Sequence, residues 1–155
     1  DPASLSSGPI LTMHEDKNGT LWLGPGGLQR LDRTTGKFTH FFQKDGLPHQ
    51  AVMAILEDDH DNLWLSTPRG LSKYDPRTGR FKNYDVSYGL HGNEFHMRSA
   101  LRARNGEMYF GGTGGFTRFH PDSIKDNPFV PPIVITVFKK FEKPERFGKE
   151  IKLSY

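Results

Sequence analysis

The chain has no cysteine, which removes disulfides, thiolate metal centres and cysteine nucleophiles together and leaves the compartment open. Long apolar runs are missing too. The longest, around Ile133 to Phe138, falls far short of the ~20 residues that a membrane-crossing helix needs. The opening DPASLSSGPI has neither the basic nor the apolar part of a secretion signal. No direct membrane contact is expected of this piece, and any export signal or anchor is expected outside it. Charge of one sign is scarce as well: the formal net charge is +3, and residues 139–152 alone hold Lys139, Lys140, Lys143, Arg146, Lys149 and Lys152 against Glu142, Glu145 and Glu150. The rest is neutral overall, so there is no basic field to recruit nucleic acid. What is plentiful is turn chemistry, 17 glycines and 11 prolines with 12% aromatics. Many short strands joined by turns suit that mixture better than long helices, and 155 residues is the length of one ordinary all-β domain.

The sequence repeats itself. GTLWLGPGGLQRLDRTTGKF at 19–38 returns as DNLWLSTPRGLSKYDPRTGRF at 61–81 and, more loosely, as GEMYFGGTGGFTRFHP at 106–121. Glu15 and Glu57, like Trp22 and Trp64, stand 42 apart; Leu28 and Leu71, Asp32 and Asp75, Gly36 and Gly79, and Phe38 and Phe81 stand 43 apart. The third copy follows at 45, with Leu101 for Leu56, Tyr109 for Trp64, Phe116 for Leu71 and Pro121 for Pro76. In the second copy DDHDN, TPRG and PRTG cut the chain into extended pieces at 52–57, 63–66, 71–75 and 80–84. Four antiparallel strands in about 43 residues is the size of one β-propeller blade. Gly and Pro interrupt every alternative helix. A single blade must be covered on both faces, so Trp22, Trp64 and Tyr109 are expected between adjacent blades as packing residues, with Phe38, Phe41, Phe81 and Tyr84 on outer strands. Closed propellers use roughly four to eight blades, so three imply a fragment completed by further blades or by self-association. The expected organisation is an inter-blade segment at 1–9, blades at 10–50 and 51–93, a divergent last blade at 94–127, and a Pro-rich stretch at 128–155.

The string running from Glu15 to Phe38 and again from Glu57 to Phe81 resembles the two-component regulator propeller repeat, and NEFHMRSALRARNGEMYFGGTGGFTRFHPDSI is similar to the divergent last blade of such sensors. DNPFVPPIVITVFKKFEKP and IKLSY look like the start of the immunoglobulin-like β-sandwich that follows the propeller in that family. The resemblance implies a periplasmic, ligand-sensing part of a bacterial histidine kinase of the two-component type. It also implies a carbohydrate or other polar small molecule as ligand, and no cofactor.

Propellers place ligands at one mouth of the channel, on loops between strand four and the next strand one and between strands two and three. Those loops carry His49, Gln50, Arg69, His91, Asn93, Glu94, Phe95 and His96, a mix of donors, acceptors and one aromatic face suited to a sugar. His91, Glu94 and His96 match no established zinc spacing, and Asp16, Asn18, Asp58, Asp59 and Asp61 read as turn residues, not a calcium loop, so no metal is expected. GGTGG at 111–115 lacks the Lys and Ser/Thr of a phosphate loop, and no serine has nucleophile-elbow flanks, so no catalytic residue is named. Glu15 and Glu57 recur once per blade, with Arg102 in the third, as structural residues do. The enzymatic alternative is a lyase or hydrolase of the streptogramin-lyase type with His91 and His96 as its candidates.

Overall fold

One turn recurs and sets where strands three and four of the first two repeats meet. Asp32 accepts the backbone N–H groups of Thr34 and Thr35 on its carboxylate, and Gly36 closes the turn on the Asp32 carbonyl at 2.8 Å. Asp75 does the same for Arg77 and Gly79. Both glycines lie at positive φ, 70° and 68°, where a side chain is disfavoured. The computed structural model describes residues 3–124, 138–140 and 143–145. Its first sheet is β1 (Met13–Glu15), β2 (Leu21–Leu23), β3 (Leu28–Leu31) and β4 (Phe38–Phe41); its second is β5 (Ala54–Glu57), β6 (Leu63–Thr67), β7 (Gly70–Asp75) and β8 (Arg80–Tyr84). Every neighbouring pair is antiparallel and in chain order. The third sheet is β9 (Phe95–Arg102), β10 (Met108–Gly112) and β11 (Gly115–Phe119).

Three strands, not the expected four, make up that last sheet among the described residues. His120 repeats the turn device only in part, its Nδ1 accepting the Asp122 N–H at 3.3 Å. No glycine follows to reverse the chain: Ile124 stands where Gly36 and Gly79 stand in the earlier copies. Pro121, buried and without an N–H, opens a single 3-10 turn over Pro121–Ser123 instead. Residues 125–155 form a separate unit, in which an antiparallel hairpin of β12 (Phe138–Lys140) and β13 (Lys143–Glu145) is described. The β-sandwich expected at 128–155 otherwise lies outside the described residues.

Aromatic and aliphatic side chains fill the two seams between sheets. Between the first and second, Trp22 and Leu28 meet Ile55, Leu63, Leu65 and Tyr74, with the Trp22 and Tyr74 rings edge to face at 5.6 Å. Between the second and third, Trp64, Leu71 and Tyr84 meet Phe95, Met108 and Phe110, and Trp64 lies 4.8 Å from the Phe119 ring. Tyr109, which aligns with the tryptophans, does not sit between sheets. It is half-buried, pairs with Phe116 of its own sheet at 5.9 Å and donates its hydroxyl to Glu107. No sheet of the described residues covers that face, where Leu101 and Phe116 remain 60% and 63% exposed.

Two polar devices recur beside the packing. The Trp22 indole N–H donates to Asp16 at 2.8 Å and that of Trp64 to Asp58 at 2.9 Å. Asp58 is 1% exposed and also accepts from His60 N, Asn62 N and the Asn62 amide. Burial pushes its carboxyl up, but the bonds from Asn62, Trp64 and His60 outweigh that and hold it below its ordinary value. The once-per-repeat charged position ties each sheet to the one before it. Glu57 accepts the Lys17 backbone N–H at 3.1 Å, and Arg102, with the opposite charge, pairs with Asp59 at 2.6 Å. Glu15, beside which the described residues place no earlier sheet, pairs with Arg33 in the β3–β4 turn of its own repeat.

Candidate functional site

The loop between β8 and β9 is pinned from both sides. The Gly70 N–H donates to the Asn93 carbonyl at 2.8 Å, which ties the loop to the β6–β7 turn beside Arg69. The Thr113 N–H donates to the Glu94 carbonyl at 3.1 Å, and the Thr113 hydroxyl to the Glu94 carboxylate at 3.3 Å, which ties it to the β10–β11 turn. His91 spans the same seam: its N–H reaches the Thr117 hydroxyl at 3.2 Å, and its Nε2 lies 2.8 Å from the Gly114 carbonyl. A carbonyl only accepts, so Nε2 is the donor in this contact. Glycine is required for this closeness. A Cβ on Gly112 would collide with the Glu94 carbonyl, and one on Gly70 with that of Tyr84.

Arg69, His91, Asn93 and Glu94 are therefore gathered at one seam, with Arg69 and Glu94 exposed. Asn93 spends its side-chain oxygen on the Val86 N–H at 3.0 Å. His49 and Gln50 belong to the preceding seam, where His49 Nδ1 accepts the Ala51 N–H at 3.0 Å and Gln50 is exposed. Phe95 is elsewhere: 4% exposed, with its ring edge to face against Phe110 at 6.2 Å, it belongs to the core and offers a ligand no aromatic face. Its partner in the preceding repeat is Val52, also fully buried, and that pairing is the signal that marks Phe95 for packing. His96 is exposed at the start of β9. Beneath the His91 loop a cavity of about 10 Å³ is lined by Glu94, Thr113 and Thr117 among others, room for about one water. Any ligand at this seam is held on its surface. Among the described residues no three His, Asp or Glu side chains converge as a metal site would require.

One exposed cation went unnoticed in the sequence. Arg98 stands on β9, the innermost strand of the third sheet, at φ 57°, and lines an open cavity of about 280 Å³ with Ile10 to Met13. The signal was the change of repeat offset from 43 to 45, which falls between Phe95 and Leu101.

Residues 4–27 and 46–69 match the family model described as two component regulator propeller. The chain carries two-component regulator propeller repeats. It is 39% identical over 97 residues, 63% of its length, to histidine kinase P4 of Formosa agariphila. Among solved structures, the extracellular domain of a hybrid two component system from B. thetaiotaomicron matches 94% of the chain with a TM-score of 0.77 and 29% identity. A virginiamycin B lyase from Staphylococcus aureus matches 74% with a TM-score of 0.57 and 17% identity, a likeness of fold alone. The chain spans 7% of the length of the kinase, 21% of the extracellular domain and 39% of the lyase.

Proposed function

We propose that this chain is a non-enzymatic, extracytoplasmic segment of a bacterial two-component receptor, periplasmic in location, whose propeller recognises a carbohydrate or other polar ligand. The parent protein in this reading is a sensor histidine kinase. The observation that carries it is the match along 94% of the chain to the extracellular domain of a hybrid two component system, joined to two copies of the regulator-propeller repeat. Ligand at the loop end acts by favouring one arrangement of the receptor over another, which requires different affinity for the two. The seam between the second and third sheets suits that role. Its polar side chains stand on turns fixed by backbone hydrogen bonds and glycine contacts, so contacts made there are transmitted to a rigid stack of sheets. In the parent protein the outer faces of the fragment are covered by further blades.

The test is calorimetry of a panel of neutral and acidic oligosaccharides against the complete propeller, alongside turnover measured with and without EDTA. Binding without turnover supports the sensor reading. Metal-dependent turnover that disappears in His96→Ala would overturn it in favour of lyase chemistry.

A further inference from the structure

The innermost strand of the third sheet is irregular in a way that the other inner strands are not. Against β10, β9 pairs Ala100 with Phe110 and then Phe95 with Gly112, so that five steps along β9 meet only two along β10. His96 to Ser99 bulge out of the ladder. The bulge leans back on the second sheet, where the Arg98 N–H donates to the Met53 carbonyl at 3.3 Å. Arg98 is held at φ 57°, a left-handed conformation that a long side chain disfavours. Bulges of this kind re-aim a side chain, and backbone held at positive φ in a non-glycine residue points toward a function that needs it. Here the re-aimed side chain is a guanidinium. Arg98 is exposed, and among the described residues it pairs with no carboxylate.

The other residues that line the cavity have a distinct chemistry. Ile10, Leu11, Thr12 and Met13, on and before β1, complete the cavity of about 280 Å³. Ile10 and Met13 are 39% and 64% exposed. A planar fork of donors that shares a cavity with Ile10, Leu11 and Met13 fits a molecule with a carboxylate at one end and an apolar face beside it. The volume is near the lower end of the range for small-ligand sites, about 300 Å³, and suits an occupant of monosaccharide size. We infer that the His96–Ser99 bulge and residues 10–13 form a binding site on the inner side of the sheets for an anionic monosaccharide-sized ligand, a hexuronate in class, with Arg98 clamping its carboxylate. The inference rests on the reading of the propeller as a saccharide sensor and adds a charge-selective site apart from the loop-end seam.

Three probes and two variants test it, by calorimetry on the full 155-residue chain. Glucuronate and glucose differ only in the carboxylate, and inorganic sulfate is an anion without a sugar face. The site predicts glucuronate at least tenfold tighter than either of the others. Arg98→Lys keeps the charge but loses the fork, and should weaken glucuronate about tenfold. Arg98→Gly frees the backbone, so its melting temperature should rise while glucuronate binding falls to the level of glucose. A more stable variant that has lost binding separates recognition from folding. Equal affinity for glucose and glucuronate, sulfate as tight as glucuronate, or unchanged glucuronate binding by Arg98→Gly would each overturn the site. If neutral sugars bind the complete propeller irrespective of Arg98, this site falls and the sensor reading stands; if no saccharide binds it at all, both fall.

Discussion

The first two sheets and the third are built from one repeat, yet they solve different problems. In the first two, the tryptophan on the second strand is buried against the next sheet and its indole is tied to an aspartate six residues earlier. In the third, the same position is Tyr109, whose hydroxyl turns to a glutamate two residues away and whose ring stays with its own sheet. The aspartate is gone as well, since Ala103 occupies the place of Asp58. The Asp–Trp pair is thus a feature of the first two copies, and the third holds its aromatic residue by another bond. In the third sheet both members of the pair are replaced, and the inner strand departs from regular pairing with β10.

Truncation gives the largest expected difference. Trp64→Ala removes a side chain that is 1% exposed and should cost about 3–5 kcal/mol in equilibrium urea unfolding. Tyr109→Ala, at the aligned position, should cost about 1 kcal/mol, because a half-exposed ring leaves no closed cavity. Equal losses at the two positions would show that the third sheet carries a partner on its outer face in solution.

Next comes the buried carboxylate. Asp58→Ala leaves the Trp64 indole and the Asn62 amide without their acceptor and should cost about 1–3 kcal/mol. Asp58 also predicts an acid dependence with a definite sign. Its pKa is lower in the folded state than the ordinary value of 3.8, so the unfolded chain binds the extra proton first. The contribution is fully present above the ordinary aspartate range and is lost as pH falls through the depressed value. An acid titration of stability should therefore show a shallower loss below about pH 4 in Asp58→Ala than in the parent chain. Identical slopes would mean that the hydrogen bonds from Asn62 and Trp64 do not favour the ionised form.

The strands and their order were legible because they are written locally. Asp-x-x-Thr-Gly at 32–36 and at 75–79 specifies its turn within five residues, and the period of the tryptophans shows that the sheets stack. Positions decided by register were harder to read. Phe95 resembles a loop aromatic until it is aligned with Val52, and only then does it read as core. The Asp–Trp tie was present as a repeated spacing of six, but Asp58 and Asp16 also suit a turn, and turn chemistry was explanation enough. Arg98 was hidden for a different reason. A bulge is a relation between two strands, so the offset of 45 shows that residues are added without showing which of them is turned outward.

A milder contrast concerns how the sheets are tied together. Glu57 is 7% exposed and accepts a backbone N–H from the neighbouring sheet. Glu57→Gln keeps an acceptor there and should change stability by well under 1 kcal/mol, whereas Glu57→Ala strands the Lys17 N–H and should cost about 1 kcal/mol. A large loss in Glu57→Gln would assign the work to charge, through His14 at 3.5 Å, instead of to the hydrogen bond.

The smallest expected effect compares the three copies of a single turn position. Gly19, Asp61 and Gly106 occupy it, at φ 77°, 62° and 85°. Only the second copy places a side chain on a left-handed backbone. Asp61 offsets part of that strain through a contact with the Lys17 ammonium at 3.3 Å, an exposed pair of a kind that contributes about 0–1 kcal/mol. Lys17 also donates to the Asp58 carbonyl at 2.8 Å and keeps that anchor in either case. Asp61→Gly should accordingly be neutral to stabilising by about 0.5 kcal/mol at ordinary ionic strength, with the gain growing as salt screens the lost pair. A loss that shrinks in high salt would assign the position to electrostatics between the sheets and not to backbone conformation.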